Sequence, residues 1–309
     1  MHPAPSIIVF TVLSGLGYGL AAVLGLGILD PASLWIKCAH VLALALIGIG
    51  LLSSVFHLGN PQRAWRAFSQ WRSSWLSREG VAAVLTFIPL ATSAWASIFQ
   101  DRAVPWVGLI GALAASLTVY CTSMIYASLK SVDAWHSPWT SVCYLLFAAS
   151  GGLIGASLVG FAAGDAAAQS LALAGFVVNV AAWTAKFRWR QRLDEAPTST
   201  PETATGLGHI GKVRLLEPPH MTANYLTQEM AFKVARKHAN SIFKAASAIG
   251  GGYACLCLGG ALLSGLSGSF GLAAFFSLHA LVGHLIGVLA ERWLFFAEAR
   301  HALANYYKS

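Results

Sequence analysis

Long apolar runs, each bounded by short polar or proline-containing stretches, divide most of the chain. A membrane-spanning helix needs about 20 apolar residues, and eight runs qualify: 6–28, 33–57, 80–99, 104–128, 138–160, 167–187, 245–266 and 271–296. Helix-ending chemistry separates them. Asp30-Pro31 closes the first hairpin, Asp101 to Pro105 the second, and Ser137-Pro138 reads as an N-cap followed by proline at the first helical position. The pattern predicts an all-α polytopic membrane protein, a bundle of about eight transmembrane helices. It forms a single membrane domain over 1–309, with one long loop at 188–244.

Composition sharpens this. Of 309 residues, 56% are hydrophobic and 10% charged, whereas a soluble domain carries roughly 25% charged residues. A water-facing globule is excluded, and membrane lipid is the surrounding solvent. A net charge of +8 raises the question of nucleic acid, but the basic residues sit between apolar runs, where they report topology instead. The five cysteines all lie inside apolar segments and form no CxxC pair. They read as small buried hydrophobes and not as zinc or cluster ligands. Met1 to Ser6 has no basic n-region, so the first run is expected to remain as a helix and not to be removed as a signal peptide.

With eight spans both termini share one side. Of the 20 Lys and Arg, only Lys37 and Arg102 fall on the other; the remaining 18 lie in 58–79, 129–137, 188–244, the C-terminal tail or the adjoining helix ends. By the positive-inside rule, both termini and the long loops face the cytoplasm of a bacterial inner membrane. Within the long loop, residues 193–208 have a flexible composition rich in Thr, Pro, Ala and Gly. Residues 222–244 mix basic with apolar positions. They read either as a surface or lead-in helix, or as a basic flank of the seventh span. Three GxxxG pairs, Gly15/Gly19, Gly151/Gly155 and Gly283/Gly287, permit close helix packing.

Candidate chemistry concentrates in residues 56–80, FHLGNPQRAWRAFSQWRSSWLSREG. Trp65, Phe68, Trp71 and Trp75 recur at roughly helical spacing among Arg63, Arg66 and Arg72, the signature of an amphipathic interfacial helix. That reading leaves His57 and Glu79 unexplained. They bracket the stretch at the end of one span and the start of the next, so both sit at one membrane face. Ionisable groups near membrane depth are costly and mark function; an imidazole and a carboxylate there can exchange protons with a quinone. The same residues also admit a helix-capping role for His57 and an ion pair between Glu79 and Arg78.

The stretch HLG-N-P-Q-R-A-W-R-A ending in W-L-S-R-E resembles the signature of the membrane anchor subunits of the dimethyl sulfoxide reductase family. The eight-span plan and the segment YLTQEMAFKVARKHA are similar too. The resemblance implies an anchor that holds a molybdopterin catalytic subunit and a four-cluster, ferredoxin-like iron–sulfur subunit at the membrane. Such an anchor exchanges electrons with the quinone pool, ubiquinone or menaquinone. It also implies a quinone site at His57 and Glu79, with Arg63, Trp75 and Arg78 shaping the pocket. The molybdenum and substrate sites belong to the partners. The best-known members dock an exported catalytic subunit, whereas the charge asymmetry puts the motif face of this protein in the cytoplasm. Anchors of cytoplasmic sulfite-oxidising enzymes are similar in that respect, which favours sulfite oxidation with quinone reduction over sulfoxide reduction with quinol oxidation.

Two other classes compete. A haem b cytochrome subunit would use His40 and His279, which by helical rise lie at similar depth. His279 and His284 are too far apart around their helix to form one ligand pair. A secondary transporter would need polar groups near the midplane and matched helix breaks in two repeats. The sequence is read as having no intramembrane Asp or Glu and no clear internal repeat.

Overall fold

The computed structural model describes residues 4–55, 60–194, 200–214, 216–217, 234–299 and 301–302. Among them, eight helices are long and apolar enough to cross a membrane. We number them α1 (Pro5–Gly25), α2 (Leu34–Val55), α3 (Trp75–Gln100), α4 (Pro105–Ala127), α5 (Pro138–Ala162) and α6 (Ala168–Gln191). The seventh, α7, is composite: Val234–Ser247 continues through a π-helical segment, Ala248–Tyr253, into Ala254–Leu266. The last, α8, is Phe270–Ala297.

The ends follow the punctuation in the sequence. Ser137 caps α5, its hydroxyl accepting from the Trp139 N–H with Pro138 at the first helical position, which satisfies a donor that the first turn leaves free. Asp101, the described non-glycine residue with positive φ, ends α3 in the left-handed conformation, which a short polar side chain tolerates. Asp101 also forms an ion pair with Lys37 across the hairpins. The α1–α2 loop is tied to the α5–α6 loop because the Asp30 N–H donates to Asp165 Oδ2 at 2.9 Å.

Packing shows an order that the sequence conceals. In the first four helices α1 packs on α2 and α4, and α3 on α4; in the last four α5 packs on α6 and α8, and α7 on α8. The same adjacency thus occurs twice, and α1 meets α5 at the centre. The sequence shows no clear internal repeat, and a shared adjacency does not require one, since helices with unrelated side chains can pack in the same order. α1 and α5 are the most buried helices, and α2 the least. Exposed leucines, valines and isoleucines on α2, α3, α4 and α7 face outward, as lipid solvation requires.

Glycine brings the halves together. A Cβ on Gly19 would overlap the Ala148 carbonyl, and one on Gly152 would overlap the Gly19 backbone, so α1 and α5 touch main chain to main chain. Gly250 and Gly287 do the same for α7 and α8. Gly19 and Gly287 belong to the GxxxG pairs, while Gly15 and Gly155 meet only ordinary side-chain contact.

Candidate functional site

Glu79 lies in the second turn of α3 and is buried. The nearby N-terminal helix dipole favours negative charge at this position. The Thr122 hydroxyl of α4 donates to Glu79 Oε1 at 2.9 Å. Two turns further along, the hydroxyls of Thr86 and Thr118 are paired at 2.9 Å. A polar stripe therefore runs between α3 and α4. Among the described residues no cation lies within ion-pair distance of Glu79.

Arg78 in particular turns away. Its Nε donates to the Trp71 carbonyl at 3.1 Å and its Nη2 to the Arg72 carbonyl at 2.7 Å, and its guanidinium stacks 4.2 Å from the Trp75 ring. Arg78 clamps the aromatic stretch onto α3 and does not pair with Glu79, so the alternative of a Glu79–Arg78 pair is set aside. Trp75 is the first residue of α3, ahead of the apolar run, and meets Tyr120 edge-on at 6.0 Å. Arg63 stands exposed in a 3₁₀ segment, Pro61–Phe68. The stretch is therefore a 3₁₀ segment followed by turns, and not the continuous amphipathic helix that the spacing predicts. Phe68 packs beside Gly80 of α3 and fastens the segment there. His57 lies outside the described residues, as do residues 222–233 of the loop segment. Of the five predicted site residues, the structure brings Trp75, Arg78 and Glu79 onto one helical turn and leaves Arg63 apart.

At the same membrane face a cleft of about 470 Å³ opens between α4 and α5, lined by Tyr120, Met124, Ala127, His136, Ser141 and Leu145 among others. This volume is within the range of small-molecule sites, roughly 300–1,000 Å³. His136 anchors its rim, the Nδ1–H donating to the Ala127 carbonyl at 2.7 Å. Tyr120 is shared between this cleft and the contact with Trp75.

The expectation of no intramembrane acid is wrong. Glu291 is buried within α8, where Oε1 lies 2.6 Å from Lys186 Nζ of α6 and Oε2 3.0 Å from Arg292 Nη1. Arg292 stacks 3.6 Å from the Tyr144 ring, and Lys186 Nζ sits 3.2 Å from the Trp189 ring. Both cations lie near helix C-termini, where the dipole favours them. Reading Lys186 and Arg292 as interfacial charges hid the triad, since each looks like a flank of its span. The available signal was depth: Lys186 and Glu291 fall at similar distances from the ends of α6 and α8.

A second buried network lies deeper. Asn179 Oδ1 accepts from the Ser150 hydroxyl at 3.1 Å and lies 3.2 Å from His284 Nδ1. Its Nδ2 donates to the Gly250 carbonyl at 3.0 Å. A π-helical turn disturbs the regular ladder, and Asn179 supplies the donor that a carbonyl in lipid needs. The proposed haem ligands are not brought together. His40 is buried beside Leu24, Ser93 and Ser97, whereas His279 is half-buried on α8 with its Nδ1 bonded to the Phe275 carbonyl.

Eight helices of membrane-spanning length, with Glu79 buried near the start of α3 and without a cation beside it among the described residues, make this a polytopic membrane protein. Residues 1–203 match the family described as DMSO reductase anchor subunit (DmsC), and the protein belongs to that family. It is 32% identical to a sulfite dehydrogenase subunit from Allochromatium vinosum over 339 aligned positions, covering 100% of this protein and 99% of that one. It is 29% identical to one polypeptide of the anaerobic dimethyl sulfoxide reductase from Haemophilus influenzae, covering 48% of this protein and 55% of that one. The corresponding polypeptide from Escherichia coli is also 29% identical, over 41% of this protein and 45% of that one. The protein is thus an anchor subunit of a membrane oxidoreductase complex.

Proposed function

We propose that this anchor is the quinone-reactive subunit of a molybdopterin and iron–sulfur complex that oxidises sulfite and reduces quinone. The observation that carries the reading is Glu79, a buried carboxyl at the membrane face with Thr122 as its hydrogen-bond partner and no countercharge among the described residues. A carboxyl at that depth is costly, and proton donation to quinone accounts for it. Quinone reduction takes two electrons and two protons. Electrons arrive from an iron–sulfur partner docked on the motif face, and Glu79 supplies protons with His57. The cleft at Tyr120 and Met124 admits the headgroup from lipid, while Trp75 and Arg78 hold the motif against α3.

The choice of sulfite rests on two supports. The full-length likeness is to a sulfite dehydrogenase subunit, and the basic residues favour a cytoplasmic motif face. Reporters active only in the periplasm, fused after residue 200 or 309, should be silent; activity at either would reverse the orientation and favour quinol oxidation by a sulfoxide-type reductase. The central test is Glu79→Gln in the assembled complex. General acid–base groups contribute about 10²–10⁴ in rate, so quinone reduction should fall at least a hundredfold while the complex still assembles. A wild-type rate would remove Glu79 from the site. With electrons and protons taken from one face, proteoliposomes should develop no turnover-linked membrane potential.

A further inference from the structure

A donor buried beneath α1 and α4 must be recharged after each transfer, and Thr122 is the group through which Glu79 faces inward. Thr122 lines a small cavity of about 20 Å³ between α1, α4, α5 and α8, together with Thr11, Ser14, Tyr144, His284 and Arg292. About 10–15 Å³ accommodates one water, provided that polar groups hold it. Those groups are present: Tyr144 Oη and Arg292 Nε are buried and have no hydrogen-bond partner among the described residues.

Beyond the cavity the ionisable groups continue to the surface. Arg292 adjoins Glu291 at 3.0 Å, and Glu291 adjoins Lys186 at 2.6 Å. One turn outward along α6, Arg190 grips Glu298 at 2.7 Å, and this pair is partly exposed, at 16% and 13%. Arg190 also donates to Asn240, in the first turns of α7.

We propose that this series is the proton supply for Glu79, running from the Arg190–Glu298 mouth through Lys186 and Glu291 to water in the Arg292–Tyr144 cavity. It rests on the reading of Glu79 as the donor to quinone. When Glu79 protonates a quinone oxygen, the carboxyl O–H bond breaks and a quinol O–H bond forms; the electron pair comes from the iron–sulfur partner. Lys186 then passes an ammonium proton inward by way of Glu291 and the cavity water, and takes a replacement from the surface. Arg292 gives up no proton and acts as a positioning residue for the water and for Glu291. Each such transfer delivers one of the two protons that balance the two electrons given to each quinone.

Lys186→Arg provides the test, because it keeps the charge and the ion pair but cannot release a proton. In the full-length protein in lipid nanodiscs, infrared spectroscopy identifies the Glu79 carboxyl band as the one that Glu79→Gln removes. Its shift on transfer to D₂O times proton access without any turnover. Lys186→Arg should slow that shift at least tenfold and slow quinone reduction by the assembled complex, with the KM for quinone unchanged. Exchange at the wild-type rate overturns the route. Should Lys186→Arg fail to assemble, Glu298→Gln at the partly exposed mouth decides instead, with about threefold slower exchange expected and unchanged exchange overturning it. A band insensitive to Glu79→Gln would instead refute Glu79 as the donor, so the two failures are told apart.

Discussion

The two halves of the bundle share a packing plan and treat buried charge in opposite ways. In α1–α4 a single carboxylate, Glu79, stands with a threonine hydroxyl for company. In α5–α8 one carboxylate, Glu291, is held between two cations. Burying an ion is expensive, and the cost is offset only by a close partner of opposite charge together with further hydrogen bonds. The triad follows that rule with one positive charge to spare, and that surplus lies across a small cavity from Thr122 and Glu79. The halves therefore differ in how their buried carboxylates are balanced among the described residues. Equivalent packing does not imply equivalent chemistry: the proposed proton donor sits in the half whose buried carboxylate has no cation beside it among the described residues.

The comparison can be broken most severely from the second half. Glu291→Leu would leave Lys186 and Arg292 buried without their carboxylate, and removing one partner of a buried pair costs about 3–5 kcal/mol. The expected outcome is loss of folded protein from membranes, measured by its resistance to unfolding in mixed micelles. Glu79→Leu, which removes a charge that has no ionic partner among the described residues, should leave folding close to wild type. If both variants lose similar stability, the asymmetry between the halves is not real.

An intermediate effect is expected where the halves meet. Gly152→Ala places a methyl group against the Gly19 backbone, and overpacking costs typically about 1–3 kcal/mol. The same substitution at Gly48, which has open space around it, should be silent by the same assay. The smallest effect belongs to Thr122→Val. Hydrogen bonds within membrane proteins average about 0.6 kcal/mol, so stability should barely change while the quinone reduction rate falls. A stability loss without a rate effect would make Thr122 a packing residue.

How much of this is legible in the sequence differs by scale. The helices are, because lipid demands runs of about 20 apolar residues and the breaks at Asp30-Pro31 and Ser137-Pro138 are local chemistry. The starting turn of α3 is less so: Trp75, Arg78 and Glu79 read as an interfacial flank, yet they lie in the first turns of α3, with the Arg78 side chain bonding back to the Trp71 and Arg72 carbonyls. Glu79 stands out because a carboxylate is conspicuous at a membrane boundary. Glu291 escapes because Arg292 beside it makes the pair look like an ordinary basic end, and its partner Lys186 is 105 residues away in sequence.

By itself the sequence determined that the protein lives in a bilayer, how many times it crosses, where the basic residues gather, and the family resemblance centred on 57–79. These depend on composition and on signals within a few residues of one another. Tertiary structure alone decided which ionisable groups are paired. It turned Arg78 outward, left Glu79 without a cation among the described residues, joined Lys186 to Glu291 across α6 and α8, and aligned two four-helix units through contacts at Gly19 and Gly152. The physical reason is that an ion's cost in low dielectric depends on what lies within about 3–4 Å, and in a helical bundle those neighbours come from distant parts of the sequence.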